Sequence, residues 1–123
     1  MTENSQESHE QVDRASLLER VEGDRELLTE MIHLFQEDEV NLRAAMRDAL
    51  QRGDMLVLER SAHSLKGAAG NLSAKAVAAA ASQLENDAKN KDAESAKGSL
   101  VEVERAVKQL LPALAELCQG VTK

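Results

Sequence analysis

Apolar residues recur along this chain at helical spacing, in blocks separated by short polar turns. Leu58, Ala62, Leu65, Ala69 and Leu72 step by four, three, four and three, which marks a helix with one buried face. An earlier block, from 24 to about 51, sets Leu28, Met31, Ile32, Phe35, Leu42, Ala45, Met46, Ala49 and Leu50 on one face, with Asp24 placed to cap its start. Arg52-Gly53-Asp54 makes a tight turn, and Asp54 caps a second long helix that ends near Gly70. Asn71-Leu72-Ser73 turn the chain again. Ser73 is expected to cap a third helix, whose inner face is Val77, Ala80, Ala81, Leu84 and Ala88. After Asn90-Lys91-Asp92, the residues Leu100, Val103, Val107, Leu110, Leu114 and Leu117 alternate strictly by three and four, the seam of a bundle. Pro112 falls within this pattern and predicts a kink, not a break.

Val12, Leu17, Leu18 and Val21 predict a shorter helix from about 11 to 22, after which Gly23-Asp24 resets the chain. Residues 1–10 hold almost nothing apolar and are expected to be a disordered tail. Short loops make successive helices antiparallel neighbours. The predicted fold is therefore all-α, an antiparallel up-down-up-down four-helix bundle over 11–119, with the short N-terminal helix lying as a lid across one end.

Composition supports this reading: 123 residues suit one domain, aromatics are 1%, and proline occurs once. The formal charge is -7, with 22 acidic and 15 basic residues and no basic run, so a nucleic-acid backbone is an unfavourable ligand. No apolar stretch approaches the roughly 20 residues that span a bilayer, and the polar N-terminus lacks the apolar core of a signal peptide. A cytoplasmic monomer, or a fragment of a larger cytoplasmic protein, is expected, without membrane insertion. Cys118 stands alone, with no disulfide or metal-ligand companion, and reads as a small buried hydrophobe near a helix end. Gly-rich phosphate loops, GxxxxGK[ST], HExxH and zinc-spaced Cys/His clusters are missing from the sequence. An autonomous kinase, ATPase or metalloprotease is not expected from that pattern. Any phosphoryl group must come from another protein, and no metal ligands are expected on this chain.

The candidate chemistry centres on His63. It lies one residue off the buried stripe, and about 100° of rotation per residue puts its ring at the edge of that face, with its tip open to solvent. Helical spacing gives it Glu59 and Arg60 on one side and Lys66 and Gly67 on the other, with Ser64 adjacent. Glycine within a helix costs about 1 kcal/mol relative to alanine, so Gly67 suggests the close approach of another molecule. Gly70, beside Asn71, fits a C-terminal cap and borders the same docking face. Imidazole titrates near pH 6.5, which leaves a nucleophilic nitrogen available at neutral pH, and Lys66 could neutralise phosphoryl oxygens. His33 faces away from its helix's core side, with no chemical group at helical spacing. Positions 63 and 85 are both eleven residues from 74, so in an antiparallel hairpin Glu85 comes level with His63. A carboxylate there would fix the tautomer and leave Nε2 free to attack. The alternative is a plain surface pair with Lys89, four residues on, worth about 0.3–0.5 kcal/mol.

His63-x-Leu65-Lys66-Gly67, preceded by Ala62 and followed by Asn71-Leu72, resembles the phosphorylation motif of histidine-containing phosphotransfer (HPt) domains. The resemblance runs from about Leu17 to Leu117. It includes the segment from Leu17 to Asp24 upstream and Gln83-Leu84-Glu85 downstream. Ser73 departs from it, since the family often has glycine at that point. The resemblance implies a bundle that accepts a phosphoryl group on His63 from an aspartyl-phosphate receiver domain, or a kinase, and passes it to a response-regulator aspartate. Receiver domains and a hybrid sensor histidine kinase are the implied partners, with Mg²⁺ supplied by the receiver. It also implies that Lys66 stabilises phosphoryl charge, that Glu85 orients the imidazole, and that Glu59, Arg60, Ser64, Gly67 and Gly70 form the docking surface. Two other classes share much of this pattern: a bundle that binds a regulator without being phosphorylated, and a purely structural bundle.

Overall fold

Among the described residues, four of the five helices begin on an aspartate whose carboxylate takes a backbone N–H that the first turn would otherwise leave unpaired. The computed structural model describes residues 12–122, with the side chains of 12–118. The expected tail at 1–10, including His9, lies outside the described residues. Helix α1 spans Arg14–Arg20, capped by Asp13, and α2 spans Arg25–Arg52, capped by Asp24. Helix α3 spans Met55–Asn71, capped by Asp54; α4 spans Lys75–Lys89; α5 spans Ala93–Thr122, where Asp92 accepts from the Ser95 N–H at 3.1 Å. That cap bond holds the Asp92 carboxyl below its ordinary range, and the Ser16 N–H acts likewise on Asp13. No strand occurs among the described residues.

Each long helix packs on its neighbour in sequence, and α5 closes back onto α2, giving the expected four-helix bundle with one further helix. Leu28, Ile32 and Met46 of α2, Leu58, Leu65 and Ala69 of α3, Val77, Ala81 and Leu84 of α4, and Val103, Leu110 and Leu114 of α5 are buried in one core. Alanines on α4 let α3 approach closely. Arg47 of α2 pairs with Glu104 of α5 across the closing seam. Helix α5 passes through Pro112 without a break. Cys118 is half-buried against the core. None of the helices is long and apolar enough to cross a membrane, among the described residues.

Several local expectations need correction. The N-terminal helix is shorter than 11–22, because Asp13 caps it and the chain turns through Glu22 and Gly23 at positive φ. Gly70 does not end its helix: it lies within α3, which continues to Asn71. Ser73 does not cap α4 either. Ala74 holds the cap position without a side-chain bond, while Ser73 adopts the left-handed conformation, φ 56°. Glycine would suit that conformation better, which explains the preference noted above. Ser73 is held there by α1: its carbonyl accepts the Asp13 N–H at 3.0 Å, and its hydroxyl lies 2.9 Å from that of Ser16.

The polar core residues also depart from the apolar pattern. Glu39 is 2% exposed, at a stripe position between Phe35 and Met46, and accepts from the guanidinium of Arg43, one turn on. Asp87, buried between α4 and α5, accepts from Gln83 Nε2 at 3.0 Å and from the Ser99 hydroxyl.

Opposing effects meet at Ser73. A left-handed L-residue costs about 1–2 kcal/mol, and a side-chain hydrogen bond contributes about 1 kcal/mol. Ser73→Gly relieves the first and loses the second, so urea unfolding should show stability within about 1 kcal/mol of the parent. Ser73→Ala keeps the strain and loses the bond, so its midpoint should fall below that of Ser73→Gly. The reverse order would disprove this account of the turn.

Candidate functional site

Helix α3 raises His63 beside the α3–α4 crevice, and the hairpin brings Glu85 of α4 level with it, as equal distance from residue 74 requires. The His63 side chain is 66% exposed, so the ring stands well clear of the core. Its Nδ1 lies 2.9 Å from Glu85 Oε2. The other carboxylate oxygen, Oε1, lies 2.9 Å from Lys66 Nζ, and Lys89 Nζ approaches Oε2 at 3.7 Å. Glu85 therefore contacts both His63 and Lys89, and it does so from an enclosed position rather than as a plain surface pair.

Glu85 is 9% exposed in its side chain, the most enclosed member of the group. A buried carboxylate keeps its charge only when cations and donors replace the lost water. The hydrogen bond from Lys66 is the largest influence holding its carboxyl below the ordinary range; burial pushes it up, and the bond with His63 pulls it down again. An ionised Glu85 accepts and cannot donate. The proton of a neutral His63 ring is thereby drawn to Nδ1, and the Nε2 lone pair is left pointing outward.

The remaining predicted docking residues fall around this group. Arg60, Ser64 and Gly67 are exposed, while Glu59 and Gly70 are half-buried. Glu59 and Arg60 make no ion pair with His63, Lys66 or Glu85 among the described residues. A Cβ built on Gly67 meets nothing within 4 Å. Packing inside the molecule therefore gives no reason for glycine there. Leu56 adds an apolar group that the sequence reading missed: it is 54% exposed and lies two turns before His63 on the same side of α3. Its spacing of seven residues was the available signal.

The groove between α4 and α5, lined by residues such as Ala80, Gln83 and Ser99, includes no member of the His63 group, and neither does the groove lined by Arg47, Gly53 and Lys97. A ring this exposed suits a macromolecular partner that brings its own cavity.

The lowered carboxyl of Glu85 links the site to folding. Its contribution to stability is fully present above its ordinary value of 4.5 and is lost as pH falls through the lower folded value. Urea unfolding compared between the parent and Glu85→Gln should show a gap that is constant near neutrality and narrows as acid protonates Glu85. A gap that does not change between pH 7 and pH 3 would contradict the ionised carboxylate.

Neither the curated proteins nor the solved structures contain a significant match to this chain. A family model described as Hpt domain matches residues 30–120, which include His63, Lys66, Gly67 and Glu85. The chain belongs to the Hpt domain family, the histidine phosphotransfer carriers of phosphorelay signalling, which work with response-regulator receiver domains and are not themselves kinases or ATPases.

Proposed function

We propose that His63 is the phosphoacceptor, and that Nε2 receives a phosphoryl group from a receiver aspartyl phosphate and returns it to a second receiver aspartate. The observation that carries this reading is the 2.9 Å contact between His63 Nδ1 and the enclosed Glu85 carboxylate. In the forward step the Nε2 lone pair attacks phosphorus, an N–P bond forms, and the P–O bond to the aspartyl group breaks as its carboxylate leaves. The ring then carries the phosphoryl group on Nε2 and keeps its proton on Nδ1, so it is formally cationic. Glu85 balances that charge at hydrogen-bond distance, and no proton has to leave.

The return step is the same path reversed. A receiver aspartate attacks phosphorus, the P–N bond breaks, and the ring departs as neutral imidazole with Nδ1 still protonated. A ring without that proton would depart as an imidazolate anion, or need a proton delivered at the moment of reaction; here the proton is already on Nδ1. Lys66, one turn from His63, supplies positive charge to the phosphoryl oxygens as charge develops. Mg²⁺ is assigned to the receiver partner, together with the acceptor aspartate. Gly67, bare and exposed, lets the receiver backbone approach, with Arg60, Ser64, Glu59 and Gly70 around it. A cytoplasmic setting, a hybrid sensor kinase upstream and a monomeric state complete the proposal.

His63→Gln tests the assignment, since an exposed ring can be replaced without opening a cavity. With a phosphorylated receiver as donor, the variant should keep parental helicity and take no acid-labile, alkali-stable phosphoryl group; retained labelling would refute the proposal. Lys66→Ala should slow single-turnover transfer by about 10-fold or more, with receiver affinity little changed. Equal rates would remove Lys66 from the chemistry. Gly67→Gln should block transfer from the receiver while phosphoramidate, a small donor, still labels His63. Normal transfer from the receiver in that variant would rule out docking over Gly67.

A further inference from the structure

Lys66 and Lys89 approach the one Glu85 carboxylate from two helices and at different distances. Lys66, on α3, is hydrogen-bonded to Oε1 at 2.9 Å; Lys89, on α4, stands 3.7 Å from Oε2, within ion-pair reach but short of a close contact. With a neutral His63 ring, one carboxylate faces two ammonium groups, one positive charge more than balance requires. Transfer adds a cationic ring and a phosphoryl group of about −1.5 to −2 charge. The surplus lysine then has its counterpart.

Lys66 is the cation that the proposed chemistry sends to the phosphoryl oxygens. It sits three residues from His63 on the same helix, 37% exposed, and turning to phosphoryl oxygens on Nε2 takes it away from Oε1. Glu85, 9% exposed, would then keep only the ring N–H as a close partner. Lys89 is 53% exposed, and its flexible stem can close the remaining gap without moving the backbone.

We propose that Lys89 is a positioning residue for the phosphorylated state: it becomes the principal counter-ion of Glu85 when Lys66 turns to the phosphoryl group, and so keeps the carboxylate on His63 Nδ1–H. This rests on His63 being the phosphoacceptor. Lys89 touches no reacting atom and acts through Glu85. Its role depends on the state of the ring, and this separates it from a constant surface ion pair.

The test uses the full chain with ¹⁵N-labelled histidine, before and after charging with phosphoramidate. It follows the exchange of the His63 Nδ1 proton with solvent in the parent, Lys89→Ala and Lys89→Arg. Before charging, Lys89→Ala should match the parent, because Lys66 still holds Glu85. After charging, its exchange should be about two- to fivefold faster, the range an exposed ion pair supports, and Lys89→Arg should restore the parental rate. Equal exchange in the charged parent and charged Lys89→Ala would overturn the proposal. So would equal acceleration in both states, or a failure of arginine to rescue. If the parent itself takes no phosphoryl group on His63, the underlying assignment falls as well, and that result is read directly from the parent sample.

Discussion

A carboxylate enclosed between two helices constrains everything around it. Glu85 remains ionised in the α3–α4 crevice because Lys66 and His63 reach it from α3. Those contacts demand a particular register between α3 and α4. A slip of one residue turns a helical side chain by about 100° and would leave the carboxylate facing either core or solvent without its partners. On the proposed chemistry, the same carboxylate also fixes which nitrogen of His63 faces out, so that one group sets register and reactivity together.

The turn between α3 and α4 holds that register from the far end of the hairpin. Ser73 takes a left-handed conformation there, and α1 binds it through the Asp13 N–H and the Ser16 hydroxyl. The short helix thus does more than cover the core with Leu17, flanked by Val12 and Val21. It anchors the hinge about which 63 and 85 come level. Buried leucines and alanines keep the two helices in place, while the outer face of α3 carries the exposed ring and the bare backbone of Gly67. Rigidity below and access above are what a carrier exchanging groups between two partners requires.

The bundle was legible because its signals are periodic and local. The stripes in α2, α3 and α5 step by three and four, and Asp24 and Asp54 precede them as caps. His63, Lys66 and Gly67 were legible for the same reason, since one helix fixes their spacing, and Glu85 followed from hairpin symmetry. What escaped was decided by tertiary contact. Ser73 has the side chain of a good cap, yet its bond to Ser16, 57 residues away, holds it in a turn conformation. Glu39 reads as surface by residue type, although the gap in the stripe between Phe35 and Leu42 was a sign of it; only Arg43 makes its burial tolerable. Asp87 depends on Ser99 from the next helix, which no local pattern announces. The placement of Gly70 inside α3 shows that a glycine near a predicted helix end need not be the residue that turns.

The central claim is that Glu85 keeps the proton of neutral His63 on Nδ1 and presents Nε2 as the nucleophile. Nitrogen-15 NMR of the unphosphorylated chain, above the pH at which the ring is protonated, measures this directly. The account predicts an Nδ1–H tautomer in the parent, with a shift in the tautomer balance toward Nε2–H in Glu85→Ala. A parent ring that is mainly Nε2–H, or a balance that does not respond to the loss of Glu85, would contradict it.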